Sequence, residues 1–220
     1  MSKVPSVKKK AVVLISGSGS NLQAFIDKVH SGYLDIDIAL VLSNVPSAFG
    51  LQRAEDAGIK STCINHKDFD NRLAFDEAMI RRIDFVKPDI VILAGFMRIL
   101  TSQFVNHYAN RLINIHPSLL PKFTGVNTHQ RVIEAQERWH GASIHFVIPE
   151  LDAGPVILQG RLELRANDTI ETLQQRIHKI EHQLYPLAVK WFCEGRLSIQ
   201  NNKVLLDGET SPLQLQTFDL

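Results

Sequence analysis

Short apolar runs and amphipathic segments alternate along the first half of the chain. The apolar runs have the length and composition of strands buried on both faces, and they cover residues 11–16, 36–42, 60–64 and 89–94. The segments between them carry apolar residues at helical spacing, and they predict helices over residues 22–29, 47–57 and 71–86. This alternation of strand and helix predicts a parallel sheet with helices on both of its faces.

The pattern changes in the second half of the chain. Strands are predicted at 111–116, 140–148 and 155–164, helices at 128–136 and 169–194, a hairpin at 198–206 and a loose tail at 211–220. We expect Asp168 to cap the last helix, with Glu171 as its reciprocal partner. The predicted fold is α/β, a doubly wound and mostly parallel sheet that antiparallel strands extend.

Composition and charge narrow the class of protein. The chain has 220 residues, 45% hydrophobic and 21% charged, as in an ordinary globular protein. A net charge of +1 gives no reason to expect nucleic acid or an anionic membrane as a partner. The apolar run that starts at residue 11 is too short for a signal peptide. Cys63 and Cys193 show no metal-type spacing, so a reducing cytoplasm is the simplest compartment.

Candidate chemistry concentrates at the end of the strand predicted over residues 111–116. Asn114 and His116 fall on one face of that strand, and Pro117 ends it there. An amide and an imidazole aimed at one point could stabilise an oxyanion on a carbonyl carbon. No strong nucleophile lies close by, so a substrate would supply the attacking group. Asp152 is the best-placed carboxylate to hold the imidazole and favour its protonated form.

Spacing alone leaves a second interpretation of these residues open. A histidine before proline is commonly a satisfied surface or core residue. An aspartate shortly before Gly-Pro, such as Asp152, commonly forms only a turn. By spacing, the structural and the catalytic interpretations are equally strong.

A glycine-rich loop follows the first predicted strand. Residues 17–21 read Gly-Ser-Gly-Ser-Asn and lead into a helix, which would present free amides to a phosphate. A turn without a ligand is the alternative. A dinucleotide site is disfavoured, because Leu22 replaces the third glycine and Asn44 follows the second strand where an acid is expected. A single phosphate fits this loop better.

Two other stretches have the residue types of a binding site. The loop over residues 95–100 leaves its strand on the ligand side of an open α/β sheet, and its apolar residues with one arginine suit a flat heteroaromatic ring or ordinary core. His178, Glu181, His182 and Tyr185 share a polar face of the last helix, which would usually face solvent.

Several motifs together resemble those of the folate-dependent formyltransferases. Asn-x-His-Pro-Ser-Leu-Leu-Pro begins at Asn114, and Leu-Asp-x-Gly-Pro begins at Leu151. Ile-Ser-Gly-Ser-Gly-Ser-Asn-Leu-Gln-Ala from Ile15 and Ala-Gly-Phe-Met-Arg-Ile-Leu from Ala94 narrow the resemblance to members that act on glycinamide ribonucleotide. The likeness extends from about residue 11 to residue 207, with the motifs in matching order.

The resemblance implies transfer of a formyl group from 10-formyltetrahydrofolate to the amine of glycinamide ribonucleotide, in de novo purine biosynthesis. The amine would attack the formyl carbon, Asn114 and His116 would hold the oxyanion, and Asp152 would assist proton movement. The co-substrate is then 10-formyltetrahydrofolate, and no metal is implied. The implied partners are these small molecules, without nucleic acid or membrane, and the protein is expected in the cytoplasm as a monomer or weak homodimer.

The resemblance also implies the binding residues. Those for glycinamide ribonucleotide are Gly19, Ser20, Asn21, His178, Lys179, Ile180 and Glu181. Those for the folate are Arg72, Met97, Arg98, Ile99, Leu100, Asn114, Ile148, Pro149, Glu150, Leu151 and Asp152. We expect one Rossmann-like formyltransferase domain over residues 1–220, with a phosphate-binding half at about 11–110 and a catalytic and folate-binding half at about 111–208.

Other functions share some of these features. A formyltetrahydrofolate deformylase or a methionyl-tRNA formyltransferase would share Asn114, His116 and Asp152. Such relatives usually add an N-terminal regulatory or a C-terminal nucleic-acid domain, for which we expect no room in 220 residues. A non-catalytic nucleotide-binding module would explain the phosphate loop but not the three polar residues.

Overall fold

A computed structural model describes residues 8–210 and 214–220 of the chain. The strands are β1 (Lys9–Ile15), β2 (Ile36–Ser43), β3 (Ser61–Cys63), β4 (Ile90–Leu93), β5 (Leu112–His116), β6 (Trp139–Phe146), β7 (Val156–Glu163), β8 (Leu197–Gln200), β9 (Lys203–Leu206) and β10 (Leu215–Phe218). The helices are α1 (Ser20–His30), α2 (Phe49–Asp56), α3 (Arg72–Asp84), α4 (Ser102–His107), α5 (Thr128–Glu134) and α6 (Ile170–Cys193). Eight strands form one sheet in the order β10-β7-β6-β5-β4-β1-β2-β3, and β8 pairs with β9.

The parallel part of the sheet is covered by helices on both faces, as predicted. Alternate side chains of β1 enter two separate core clusters. Val13 and Ile15 pack with residues of α1, α2 and α6, whereas Val12 and Leu14 pack with residues of α3 and α4. This confirms the doubly wound α/β fold, and it brings the carboxyl ends of β1, β2, β4 and β5 to one edge.

The predicted antiparallel extension is also confirmed. β6 runs antiparallel to both β5 and β7, and His116 at the end of β5 pairs with Ser143. The last residue of β6, Phe146, pairs with Ile113 near the start of β5. The loop between β6 and β7 folds back along β5 from there and brings Asp152 to 3.5 Å from His116. The hairpin of β8 and β9 turns at Asn201 and Asn202, which have φ of 49° and 59°, as a two-residue hairpin turn requires.

Two expectations about the last part of the chain were wrong. The predicted loose tail contains β10, which pairs in parallel with β7; residues 211–213 of that tail lie outside the described residues. A strand forms there because β7 offers its backbone a free edge to pair with, and Arg161 also donates from Nε to Thr217 at 3.0 Å. Helix α6 is capped by Thr169 and Thr172. Asp168 instead accepts a hydrogen bond from the guanidinium of Arg176.

Candidate active site

A cavity of about 650 Å³ opens at the carboxyl ends of β4 and β5, beside the loop between β6 and β7. It is lined by residues that sequence analysis assigned to catalysis or to the folate: Met97, Arg98, Ile99, Leu100, Asn114, His116, Ile148, Pro149, Glu150, Leu151 and Asp152. Their three chain segments meet because β4, β5 and β6 are neighbours in the sheet. The arrangement places the polar groups of β5 against an otherwise mostly apolar wall.

His116 and Asp152 lie side by side in this cavity. Nδ1 of His116 is 3.5 Å from Oδ2 of Asp152, and each side chain is only 7% exposed. Asp152 has a φ of 52°, in the sparsely populated left-handed region, and its Oδ2 accepts the backbone N–H of Gly125 at 2.8 Å. Nε2 of His116 donates to the carbonyl of Phe123 at 2.8 Å. Protein groups therefore hold the imidazole on both sides.

Asn114 is oriented by His145, a residue that sequence analysis did not select. The two are direct partners across β5 and β6, with Nδ2 of Asn114 3.2 Å from Nε2 of His145. Nδ1 of His145 lies 2.9 Å from the carbonyl of Phe146, which can only accept, so Nδ1 carries the hydrogen. Burial lowers the pKa of His145, and its Nε2 then accepts from Asn114. A polar residue between Ile144 and Phe146 was the available signal.

The loop after β4 supplies exposed apolar surface and one arginine. Met97 and Ile99 are 74% and 59% exposed at the cavity. Burial raises the pKa of Asp76, and the nearby guanidinium groups of Arg72 and Arg98 oppose that rise. Arg72 is exposed at the start of α3 and does not line the cavity, whereas Arg98, whose charge acts on the same carboxylate, does line it.

The glycine-rich loop lies outside that cavity. Gly19 precedes α1 with a φ of 70°, and a Cβ built on it would stand 2.6 Å from Cα of Gly50. Gly50 in turn donates its N–H to the carbonyl of Gly17 at 3.0 Å. Glycine is therefore required at residue 19 by packing against α2. The first amides of α1, which precede the first intrahelical bond, remain suited to an anion.

Glu181 is buried, contrary to the solvent-facing position that its helix face would usually take. It is 5% exposed, and its Oε2 accepts a hydrogen bond from Nδ2 of Asn21 at 2.9 Å. Burial raises the pKa of Glu181 to about 7, and the bond from Asn21 partly opposes this rise. Oδ1 of Asn21 is buried without a partner among residues 8–210 and 214–220. The start of α1 and the middle of α6 therefore meet at a polar contact.

The neighbours of Glu181 on α6 face different surroundings. His178 is half-buried, and burial lowers its pKa. Lys179 is exposed, and the side chain of Ile180 lies in the core beside Gly160. A ligand at this place could therefore meet the side chains of His178 and Glu181, whereas Ile180 has only its backbone to offer.

A second pair of histidines adjoins the cavity, and sequence analysis missed it as well. Nδ1 of His129 lies 2.9 Å from Nε2 of His140, and His129 lines the cavity. Burial lowers the pKa of His129 to about 4 and that of His140 to about 3, and the charge of each further histidine nearby adds to the shift. Both rings are therefore neutral at pH 7, and His140 holds the orientation of His129.

In the part of the chain that the structure describes, no group of three or more His, Cys, Asp or Glu side chains is placed to hold a metal ion. Within those same residues, no helix has the length and apolar character needed to cross a bilayer.

Comparison with known proteins adds to this geometry. The family model described as formyl transferase matches residues 9–189. A phosphoribosylglycinamide formyltransferase of Escherichia coli is 49% identical over 92% of this chain and 96% of its own length. The solved structure of a phosphoribosylglycinamide formyltransferase from Coxiella burnetii covers 97% of this chain and is itself covered fully, with a TM-score of 0.90 and 47% identity. A formyltetrahydrofolate deformylase structure from Pseudomonas syringae is 28% identical, with a TM-score of 0.86 over 91% of this chain and 66% of its own length.

Asn114, His116 and Asp152 bring an amide, an imidazole and a carboxylate into one cavity of a doubly wound α/β sheet, a set of groups that suits an enzyme acting on a carbonyl carbon. The protein family is identified by the match of the family model and by the sequence identity over most of the chain. The chain belongs to the formyl transferase family.

Proposed function

We propose that this chain transfers the formyl group of 10-formyltetrahydrofolate to the amine of glycinamide ribonucleotide, a step of purine biosynthesis. The observation that carries the proposal is the meeting of Asn114, His116 and Asp152 in one cavity. The similarity to phosphoribosylglycinamide formyltransferases over nearly the whole chain supports the choice of substrates.

The reaction needs a stabilised oxyanion and a proton route. The substrate amine attacks the formyl carbon, the carbonyl oxygen becomes an oxyanion, and the folate nitrogen leaves with a proton while the amine loses one. Asn114 offers an N–H to the oxyanion, because His145 occupies only one of the two hydrogens on its Nδ2. His116 supplies the second donor and the acid. Asp152 holds His116 in place and assists proton movement.

His116 must release one hydrogen bond before it can donate to the oxyanion. Its Nε2 is bonded to the carbonyl of Phe123, and its Nδ1 faces Asp152. Phe123 belongs to the loop between β5 and α5, so a small adjustment of that loop would free the Nε2–H. Asp152 would retain its hold on Nδ1 during this change.

The second substrate is proposed to bind where α1 and α6 meet. Gly19, Ser20 and Asn21 would hold the phosphate through the amides at the start of α1. Beyond the phosphate, His178 and Glu181 would contact the rest of glycinamide ribonucleotide, and the carboxylate of Glu181 suits hydroxyl or amine donors. Lys179 would contribute from the exposed side, and Ile180 only through its backbone.

The folate is proposed to occupy the 650 Å³ cavity. Its heteroaromatic ring would lie between the loop that starts at Met97 and the segment from Ile148 to Asp152. Arg98 would face the acidic glutamate tail of the folate, and Arg72 would be a more distant positive charge. Holding both substrates in reacting orientation can lower the barrier by roughly 7–11 kcal/mol, which explains how the enzyme manages without a nucleophile.

We also propose the broader setting of the enzyme. The phosphate-binding half at about 11–110 and the catalytic and folate-binding half at about 111–208 form one functional domain. Small molecules would be its partners, with no nucleic acid, and it would act as a monomer or weak homodimer. Cys63 and Cys193 are both free thiols, which supports the reducing cytoplasm as its compartment.

An omission assay tests the proposed function. Purified protein receives 10-formyltetrahydrofolate with or without glycinamide ribonucleotide, and the loss of formyl-folate is followed with mass-spectrometric identification of the products. We expect fast loss and a formylated ribonucleotide only when both substrates are present. Fast hydrolysis without the amine would assign the chain to the deformylases. Binding of glycinamide ribonucleotide without any formyl transfer would indicate a nucleotide-binding module.

A further inference from the structure

A chain of hydrogen bonds crosses the carboxyl edge of the sheet beside the proposed folate site. The hydroxyl of Ser16, which follows β1, donates to Oδ1 of Asn44 at 2.6 Å. The same hydroxyl accepts the backbone N–H of Met97 at 2.7 Å. Asn44 follows β2, Met97 comes after β4, and β1 lies between these two strands in the sheet. Ser16 therefore joins three neighbouring strand ends through one side chain.

The hydroxyl of Ser16 extends the contact of β1 with β4 beyond the end of their pairing. That pairing ends at Leu14 and Leu93, and the N–H of Ser16 still donates to the carbonyl of Gly95 at 3.2 Å. Gly95 has a φ of 76°, so the chain turns out of the sheet there and Met97 lies beyond the end of β4. Met97 is 74% exposed, so little packing holds it, and the bond to Ser16 fixes its backbone N–H.

Asn44 determines the direction of the Ser16 hydroxyl. A serine hydroxyl can rotate, and it donates a single hydrogen. Because Oδ1 of Asn44 accepts that hydrogen, a lone pair of the Ser16 oxygen is left for the N–H of Met97. Asn44 is itself 2% exposed, and its backbone carbonyl accepts a hydrogen bond from Nδ1 of His66 at 2.9 Å. The orienting residue is therefore buried and held through its backbone.

We propose that Ser16 is a positioning residue for the formyl-folate, and that Asn44 orients it. Ser16 directly precedes the phosphate loop at residues 17–21, but its side chain bonds the loop that borders the folate cavity. The proposal rests on the proposed function, because that function places the folate against Met97. The proposal predicts different effects on the two substrates. Loss of the Ser16 hydroxyl would disturb the Met97 loop that borders the folate cavity, and it would leave the phosphate loop in place.

Substitution of Ser16 with separate measurement of the two Michaelis constants tests the proposal. For Ser16→Ala we expect the Michaelis constant for the formyl-folate to rise about three- to tenfold, the range of one lost hydrogen bond. The Michaelis constant for glycinamide ribonucleotide should change less than about twofold. Asn44→Ala should raise the constant for the folate in the same direction. The double variant should add little to Ser16→Ala, because both changes remove the same contact.

Ser43 at the end of β2 offers a matched control. Its buried hydroxyl donates to the carbonyl of Val45 at 2.9 Å and accepts the N–H of the same residue at 3.0 Å, within its own turn. Ser43→Ala should lower thermal stability without raising the Michaelis constant for the folate. Equal increases in both Michaelis constants for Ser16→Ala, or a similar folate effect in Ser43→Ala, would overturn the proposal.

Two further controls address misfolding of the variant and failure of the proposed function. If Ser16→Ala does not fold, Asn44→Ala carries the test, and an unchanged Michaelis constant for the folate there overturns the proposal. Wild-type protein is assayed first with both substrates. Absence of formyl transfer in the wild type would reject the proposed function, and the assignment of Ser16 with it, whereas an active wild type with an insensitive Ser16 would reject only the latter.

Discussion

Asn114 and His145 face each other across β5 and β6, and Nδ2 of Asn114 lies 3.2 Å from Nε2 of His145. His145 donates from Nδ1 to the carbonyl of Phe146, and its burial lowers its pKa, so its Nε2 acts as an acceptor. The contact fixes one hydrogen of the Asn114 amide and directs the other into the cavity. His145 is thus a positioning residue for the proposed oxyanion donor.

This relationship predicts the effect of removing the His145 acceptor. His145→Leu should lower kcat about 10- to 100-fold with little change in either Michaelis constant. The reason is that the N–H of Asn114 contacts the oxyanion, which develops only in the transition state. His145→Gln retains a side-chain acceptor and should keep more of the activity. Steady-state kinetics of both variants make the measurement. Equal activity in the two variants, or a normal kcat in His145→Leu, would contradict the orienting role.

Asp152→Asn should separate charge from shape at the second polar pair. The amide keeps an oxygen for the N–H of Gly125 but removes the negative charge 3.5 Å from Nδ1 of His116. Steady-state kinetics should show kcat falling by about 10²–10³, with smaller changes in substrate binding.

A matched control for Asp152 exists elsewhere in the chain. Asp84 forms another carboxylate–histidine pair, with its Oδ2 2.8 Å from Nε2 of His107, and neither residue lines the cavity. Asp84→Asn should leave turnover near the wild-type value. If Asp152→Asn behaved like this control, Asp152 would be only a turn residue.

Glu181→Gln should change stability and activity in opposite directions. The folded pKa of Glu181 is raised from 4.5 to about 7, so its contribution to stability falls as the pH rises between these values. The variant cannot ionise, and it should be more stable than the wild type at pH 8 by up to about 3 kcal/mol. Denaturant unfolding at pH 5 and pH 8 measures this, and the difference should appear only at the higher pH.

The same substitution tests the ligand role of Glu181. If its ionised form accepts from glycinamide ribonucleotide, wild-type kcat/KM for that substrate should rise as the pH passes about 7. Glu181→Gln should have a lower kcat/KM and lack this rise. A rise that persists in the variant would have to come from another group, and Glu181 would lose its proposed contact.

Gly19→Ala should destabilise the fold rather than affect one substrate alone. The added Cβ would stand 2.6 Å from Cα of Gly50, and the φ of 70° disfavours alanine, so we expect a loss of about 1–3 kcal/mol. Gly17→Ala is the control in the same loop, since a Cβ there meets no described heavy atom within 4 Å. Equal unfolding free energies for the two variants would show that packing against α2 does not require glycine at residue 19.

Local sequence periodicity was sufficient to predict the sheet and to place Asn114 and His116 on one face of a strand. Continuous apolar runs such as β1 must be covered on both sides, which led directly to a doubly wound sheet. Asn114 and His116 are two residues apart, so they share a face in any extended strand, whatever lies around them. These inferences need only the geometry of a single element.

Tertiary structure decided which distant groups these elements meet. Residues 21 and 181 join in one hydrogen bond only because α1 and α6 pack on the same face of the sheet. The end of the chain becomes β10 because β7 presents a free edge to it, and no local pattern at residues 215–218 reports that edge. His145 faces Asn114 because β5 and β6 pair in one register, and a shift of one residue would turn that imidazole to the other face. Register and packing depend on two segments at once, so they could not be predicted from the periodicity of either segment alone.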